Sequence, residues 1–126
     1  MIISDVKLME IGVASYSGVI YNEDAVKVII EQSATREVYG YYNDGVSRPT
    51  VNPSHIIINA KRVDNYLTGT VIVLDVQADG IALRDALLAN KNVVFTPSGF
   101  GRIENNEIID FQFMGFNAIL DNVEVM

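Results

Sequence analysis

The feature that most constrains the fold is a series of short segments rich in β-branched and aromatic residues, each bounded by turn-forming residues. Residues 55–63 and 66–76 are two such segments, and only the turn-forming pair Asp64–Asn65 separates them. A second pair of segments lies within residues 101–116 and turns at Asn105–Asn106. Because tight turns of this kind join antiparallel strands, the sequence predicts a mostly antiparallel sheet.

Two helices interrupt the strands. Asn22 is expected to cap the first helix, because its side chain can accept a hydrogen bond from a backbone N–H of the first turn. Asp79 is expected to cap the second helix in the same way, and residues 90–92 to end it. Both helices have an apolar face at helical spacing, formed by Ala25, Val26, Ile29 and Ile30 in the first and by Leu83, Ala86 and Leu87 in the second.

These elements predict an α+β fold, either a mostly antiparallel β-sheet or a partly closed β-barrel, with two helices. No linker or repeat divides the chain, so residues 1–126 are expected to form a single domain. Residues 92–96 are predicted to form a separate short strand, residues 43–53 a turn-rich loop, and residues 117–125 one more short strand.

Composition and charge exclude several classes of protein. The chain contains no cysteine, which excludes disulfides, a thiol nucleophile and a thiolate metal site. Its net charge of −7 and its lack of clustered Lys and Arg argue against a nucleic-acid partner. No apolar run approaches the ~20 residues of a membrane-spanning helix, and the first residues do not resemble a signal peptide. We therefore expect no membrane partner, and either a soluble protein of the cell interior or a component of a larger particle.

Conventional catalytic and cofactor motifs are incomplete. Gly99–Phe100–Gly101 is half of a dinucleotide-binding fingerprint, but it leads into a strand rather than a helix. Ser98 lacks the preceding glycine of a nucleophile elbow. Three acids that are close in sequence, Asp75, Asp79 and Asp85, are better explained as solvated carboxylates than as metal ligands. The sequence thus predicts no cofactor and no metal site.

His55 is the sole histidine, so any histidine-dependent general base must be this residue. It follows the turn Asn52–Pro53–Ser54 and opens an apolar strand. We favour a structural role, as a partly buried histidine at a strand end that binds a backbone group, and keep a catalytic role as the alternative.

Three blocks of the sequence resemble, in their order and spacing, the head-maturation (prohead) serine proteases of tailed phages, which are similar in fold to the herpesvirus assembly proteases. The first block is residues 17–22 (SGVIYN), and the second runs from residue 39 to residue 58. The third comprises residues 69–75 and 94–101 (VFTPSGFG), with residues 110–116 as the closing strand. The resemblance covers most of the chain and implies a prohead-protease-like fold.

The resemblance places other residues at the family's catalytic positions. The family's histidine, in a Gly-x-Leu-x-His-Pro stretch, falls on Asp44, and the proline after it falls on Gly45. The family's paired serines fall on Thr96 and Pro97, and the arginine after them falls on Ser98. Some relatives have a histidine where His55 stands, and we assign no catalytic role to that position.

These substitutions affect the base, the nucleophile and a candidate oxyanion donor together. A carboxylate at position 44 is a much weaker base than an imidazole at neutral pH. Thr96 retains a hydroxyl, but its extra methyl group crowds attack. Pro97 lacks the backbone N–H that an oxyanion hole would use. The sequence therefore predicts a pseudoprotease in which no residue is catalytic.

Two functions from different classes follow. The first is a non-catalytic phage structural protein that binds capsid or scaffold proteins as a decoration or assembly protein, in the virion or procapsid and in the host cytoplasm during assembly. The alternative is a divergent active prohead protease that cleaves capsid or scaffold proteins, with Thr96 as nucleophile and His55 or Asp44 as base. A small β-domain of unrelated function, such as a tail or baseplate module, is a third reading. The resemblance also implies a homo-oligomer, since the related proteases assemble.

Overall fold

The structure is a computed structural model that describes residues 1–45 and 52–121, and these residues form seven strands and two helices. The strands are β1 (Ile2–Glu10), β2 (Val38–Gly40), β3 (Tyr42–Asn43), β4 (His55–Val63), β5 (Tyr66–Val73), β6 (Val93–Glu104) and β7 (Glu107–Leu120), and the helices are α1 (Glu23–Ser33) and α2 (Ala78–Leu88).

The strands belong to two sheets. The first has the order β1-β5-β4-β2, and all its pairs are antiparallel. The second has the order β3-β7-β6, in which β6 and β7 are antiparallel and β3 and β7 are parallel. The predicted α+β class, mostly antiparallel with two helices, is confirmed. Of the two predicted arrangements, the structure has the open one, because the sheets do not close into a barrel within the described residues.

Both predicted hairpin turns are present. Asp64 (φ 52°), Asn105 (φ 52°) and Asn106 (φ 67°) have left-handed backbone conformations, which Asp and Asn tolerate better than most residues. In the β6–β7 hairpin, Glu104 pairs with Glu107 across the two asparagines. Two consecutive positive φ values are typical of the type I′ turn, whose twist suits the flanking strands.

The two helix starts differ in how well the sequence predicts them. Helix α1 begins as predicted, since Oδ1 of Asn22 accepts the N–H of Ala25 at 3.1 Å. The prediction for α2 was wrong, because its N-cap position is Gln77, which makes no side-chain cap bond, and Asp79 lies inside the first turn. The next residue, Gly80, packs so closely that an added Cβ would lie 1.7 Å from the carbonyl oxygen of Leu74. The first turn of α2 thus packs directly on Leu74, the residue after β5, and position 80 has no room for a side chain.

Two strand boundaries also differ from the prediction. Residues 92–96 do not form a separate strand, because β6 runs unbroken from Val93 to Glu104. Residues 117–120 belong to β7 rather than to a further strand. The rest of that predicted strand, residues 122–125, and residues 46–51 of the predicted loop lie outside the described residues.

One cluster of buried apolar side chains joins both sheets and both helices. It includes Leu8 of β1, Ile29 of α1, Leu83 of α2 and Phe116 of β7, all fully buried. Only Tyr41 separates β2 from β3, so one continuous segment contributes to both sheets. No helix in the described ranges is long and apolar enough to cross a membrane.

Candidate functional site

Strand β6 carries Thr96, Pro97 and Ser98, three of the positions that the family resemblance singles out. Thr96 pairs with Asn117 of β7 and is 8% exposed. Its Oγ1 atom is buried and has no hydrogen-bond partner. A nucleophilic hydroxyl must reach the substrate and share its proton with a base. In this structure the Thr96 hydroxyl does neither.

Pro97 lies where β6 needs no ladder hydrogen bond. Its partner on β7 is Phe116, whose carbonyl oxygen accepts a bond from His55 instead of facing β6. The N–H of Ala118 likewise points away from β6, to the carbonyl of Tyr41. The nitrogen of Pro97 therefore faces the free edge of β6, which explains how a proline fits inside this 12-residue strand. The same residue removes a backbone donor from that edge directly after Thr96.

His55 opens β4 and is fully buried. Its Nε2 lies 2.7 Å from the carbonyl oxygen of Phe116, and its Nδ1 lies 2.8 Å from Oγ of Ser54. Because a carbonyl oxygen only accepts, the neutral ring carries its proton on Nε2, and Nδ1 accepts from the serine hydroxyl. Burial lowers the pKa of His55 to about 4, although the hydrogen bond to Phe116 acts in the opposite direction. His55 is therefore neutral at pH 7, and both of its nitrogens are occupied.

A glycine makes the approach of His55 to Phe116 possible. Gly40 pairs with His55 across β2 and β4. A Cβ on Gly40 would lie 1.7 Å from the carbonyl oxygen of Phe116 and 2.3 Å from Nε2 of His55. Position 40 is therefore restricted to glycine by contact rather than by backbone conformation.

Asp44 follows β3 and is half-buried. Strand β3 pairs with one side of β7 through Tyr42 and Ala118, whereas Thr96 lies on β6 at the other side of β7. One strand thus separates the segment that ends at Asp44 from the strand of Thr96. Asp44 makes no hydrogen bond to the Thr96 hydroxyl, because that hydroxyl has no partner.

The structure therefore does not join the predicted nucleophile to either predicted base. His55 and Thr96 lie in different sheets, and the ring nitrogens of His55 bind Ser54 and Phe116 instead. The sequence predicted a histidine at a strand end that binds a backbone group, and the structure bears this out, with the ring fully rather than partly buried. Geometry of this kind supports a structural role for His55.

Sequence reasoning missed the two groups that hold His55. Ser54 directly precedes the histidine. Because a buried imidazole needs hydrogen-bond partners, this neighbouring hydroxyl could have been predicted as one of them. Phe116 contributes only its backbone oxygen, from 61 residues away, which no pattern of side chains reveals. Asn117, the residue opposite Thr96, was also missed, and its Oδ1 accepts the N–H of Tyr41 at 3.1 Å.

A cleft of about 460 Å³ lies beside Pro97 and Ser98. Its lining also includes Ser17, Tyr21 and Asn117. The hydroxyl of Tyr21 donates to the carbonyl oxygen of Pro97 at 3.4 Å. Neither Thr96 nor His55 lines this cleft, so a peptide bound there would meet neither the predicted nucleophile nor the sole histidine. Within residues 1–45 and 52–121, no three acidic or histidine side chains converge as a metal site requires.

A search of solved structures finds a fold that matches almost the whole chain. The match has a TM-score of 0.71, covers 94% of this chain and 90% of the other, and has 15% sequence identity. The matching structure is that of the bacteriophage T4 capsid assembly protease, gp21. This chain has a similar fold. No protein-family model and no curated protein matches the sequence. At this identity the likeness shows the fold alone.

Proposed function

We propose that this chain is a non-catalytic structural protein of a tailed phage, which keeps the fold of a capsid assembly protease and binds capsid or scaffold proteins as a decoration or assembly protein. In this proposal it acts in the procapsid or virion, and in the host cytoplasm during assembly. The observation that carries the proposal is the hydrogen bonding of the Thr96 hydroxyl and of the His55 ring. The Thr96 hydroxyl is buried without a partner, and the sole histidine is bound on both nitrogens.

Serine-protease chemistry needs a base within about 3 Å of the nucleophile, with a pKa near the working pH. His55 meets neither condition, because it binds other groups and burial lowers its pKa to about 4. Asp44 stands at the position of the family's histidine and makes no bond to Thr96. Pro97 supplies no N–H to stabilise an oxyanion. The base, the activated nucleophile and the oxyanion donor are thus all missing. Replacing one of them would not restore acyl transfer.

The fold, unlike the catalytic positions, keeps all the features that a stable structure of this kind needs. The helix cap at Asn22, the two asparagine turns and the shared core all satisfy the requirements of a stable fold. The T4 protein with the similar fold is described as acting in capsid assembly. Binding to capsid components is the part of such a role that needs no catalytic residue, which is why we assign it to this chain.

A divergent active protease is the second candidate. The observation that favours it is the hydroxyl that Thr96 retains at the position of the family's serine. This function would require β6 to move, so that the hydroxyl becomes exposed and meets His55 or Asp44. It predicts that co-expressed capsid or scaffold protein is cleaved and that Thr96→Ala abolishes the cleavage. Identical substrate bands with the wild-type chain and Thr96→Ala would contradict it.

Quantitative mass spectrometry of purified proheads and virions tests the binding role. We expect the intact chain at a fixed copy number relative to the major capsid protein in at least one of these particles. Absence of the chain from both particles would contradict the proposed function.

A further inference from the structure

The outer edge of β6 is unpaired and exposed near its hairpin end. In the part of the chain that the structure describes, β7 is the only strand that pairs with β6. Residues 100–104 are exposed without interruption, and the side chain of Ile103 is 52% exposed. An exposed strand edge that carries an apolar side chain is a template for pairing with another strand.

The hydrogen bonds of the hairpin show which backbone groups face this edge. Glu104 and Glu107 close the two-residue turn, so Ile103 and Ile108 form the next, non-hydrogen-bonded pair. In agreement, Ile108 donates its N–H at 3.0 Å to the carbonyl of Ile20, on the side of β7 away from β6. The N–H and C=O groups of Ile103 therefore point outwards, where a further strand would meet them.

The charges along this edge are complementary to themselves. Arg102 and Glu104 flank Ile103 and share one face of the strand, because side chains alternate along it. If a second copy pairs antiparallel about Ile103, Arg102 of each copy lies opposite Glu104 of the other. Arg102 also lies 3.4 Å from Asp110 and 3.9 Å from Glu104 of its own chain, so in the pair it would lie between carboxylates of both copies. Glu104 stands opposite Glu107 in its own hairpin, and an arginine from the second copy would offset this like-charge contact.

We propose that the chain forms a two-fold symmetric dimer by antiparallel pairing of its β6 edges over residues 102–104, centred on Ile103. Each Ile103 exchanges both backbone hydrogen bonds with Ile103 of the second copy, and the two side chains cover each other on the face opposite the charges. Because both subunits use the same surface, the dimer is closed and leaves no free edge of this kind for a third copy. The ladder is short, so dimer formation depends strongly on concentration and is favoured where many copies bind one surface. This inference does not depend on the proposed function.

Sedimentation analysis of the full chain, from micromolar to millimolar concentration, tests the dimer. We expect a monomer–dimer equilibrium that Arg102→Glu or Glu104→Arg alone weakens about 10-fold or more, because each change turns two attractive cross-strand pairs into repulsive ones. The double variant Arg102→Glu/Glu104→Arg restores the dissociation constant to within about 3-fold of the wild type, because the pairs are attractive again. Lys91→Glu is the control for Arg102→Glu, since it makes the same change in charge at an exposed residue before β6.

Ile103→Pro provides a second, independent test. It removes an N–H that faces the free edge, so the β6–β7 ladder keeps its bonds and the circular dichroism spectrum is unchanged. The dimer is lost in this variant. A wild-type chain that stays monomeric at all concentrations, or a double charge variant that associates no better than the single variants, would overturn the proposal.

Discussion

Nε2 of His55 donates its proton to the carbonyl oxygen of Phe116 at 2.7 Å, and this bond joins the first residue of β4 in one sheet to β7 in the other. The ring also stands edge-on to Phe95 of β6, with 5.5 Å between ring centroids. His55 thus contacts elements of both sheets while it remains neutral.

Folding stability is expected to fall as the pH falls from about 6.5 to about 4. Burial lowers the pKa of folded His55 to about 4 from an ordinary value of 6.5. Between these values the unfolded chain binds a proton that the folded chain does not, so the contribution of His55 is complete above pH 6.5. It declines by on the order of 3 kcal/mol by pH 4, and the loss stops below that. Urea unfolding at a series of pH values across this range measures the decline in the free energy of unfolding.

His55→Gln separates this effect from the titration of carboxylates, because glutamine does not titrate but can still donate to Phe116. The free energy of unfolding of the wild type relative to this variant should decrease by on the order of 3 kcal/mol between pH 7 and pH 4. A difference that stays constant across this range would show that the protonation of His55 is not coupled to folding.

Gly40→Ala is expected to destabilise the protein by about 3 kcal/mol or more. The added methyl group would collide with the carbonyl of Phe116 and with the His55 ring, and the backbone oxygen cannot move without opening the contact between sheets. Gly69→Ala is the matched control, with a smaller expected cost. The nearest atoms to its added Cβ are side-chain atoms of Leu8 and Ile57 at 3.0 and 3.1 Å, and the nearest backbone atom, the carbonyl oxygen of Ile58, lies at 3.3 Å. Thermal unfolding of both variants measures the costs, and equal costs would contradict the close contact at Gly40.

Thr96→Val is expected to raise the free energy of unfolding by about 1 kcal/mol, because it replaces a buried, unbonded hydroxyl by a methyl group of similar size. Thr68→Val is the control, because Oγ1 of Thr68 is 3.5 Å from the carbonyl of Lys61 and its loss brings no gain. Chemical denaturation compares the two variants. A marked loss of stability in Thr96→Val would indicate that the hydroxyl has a partner in solution.

Local signals in the sequence predict many of the turns and caps of this fold. They predict few of its long-range contacts. Asn22, Asn105 and Asn106 act through bonds or dihedral angles within a few residues, so their turns and cap could be predicted. The start of α2 depends on the contact of Gly80 with Leu74, and Asp79 gave a misleading cap signal. The surroundings of His55 depend on a carbonyl oxygen 61 residues away, which only the folded chain brings into position.

The continuity of β6 through Pro97 shows the same limit. A proline normally argues against an inner strand position, and here it is tolerated because its nitrogen faces a free edge. That edge arises from the arrangement of strands in the second sheet, which the order of elements along the chain does not determine.

The central claim is that a capsid assembly protease fold serves here for binding without peptide-bond cleavage. The most direct test incubates the purified chain with proheads, labels all new amino termini in the capsid and scaffold proteins for mass spectrometry, and sediments the particles from the same sample. The account predicts that the chain sediments with the particles and that no new termini form. New termini that are produced by the wild-type chain and are absent with Thr96→Val would contradict it.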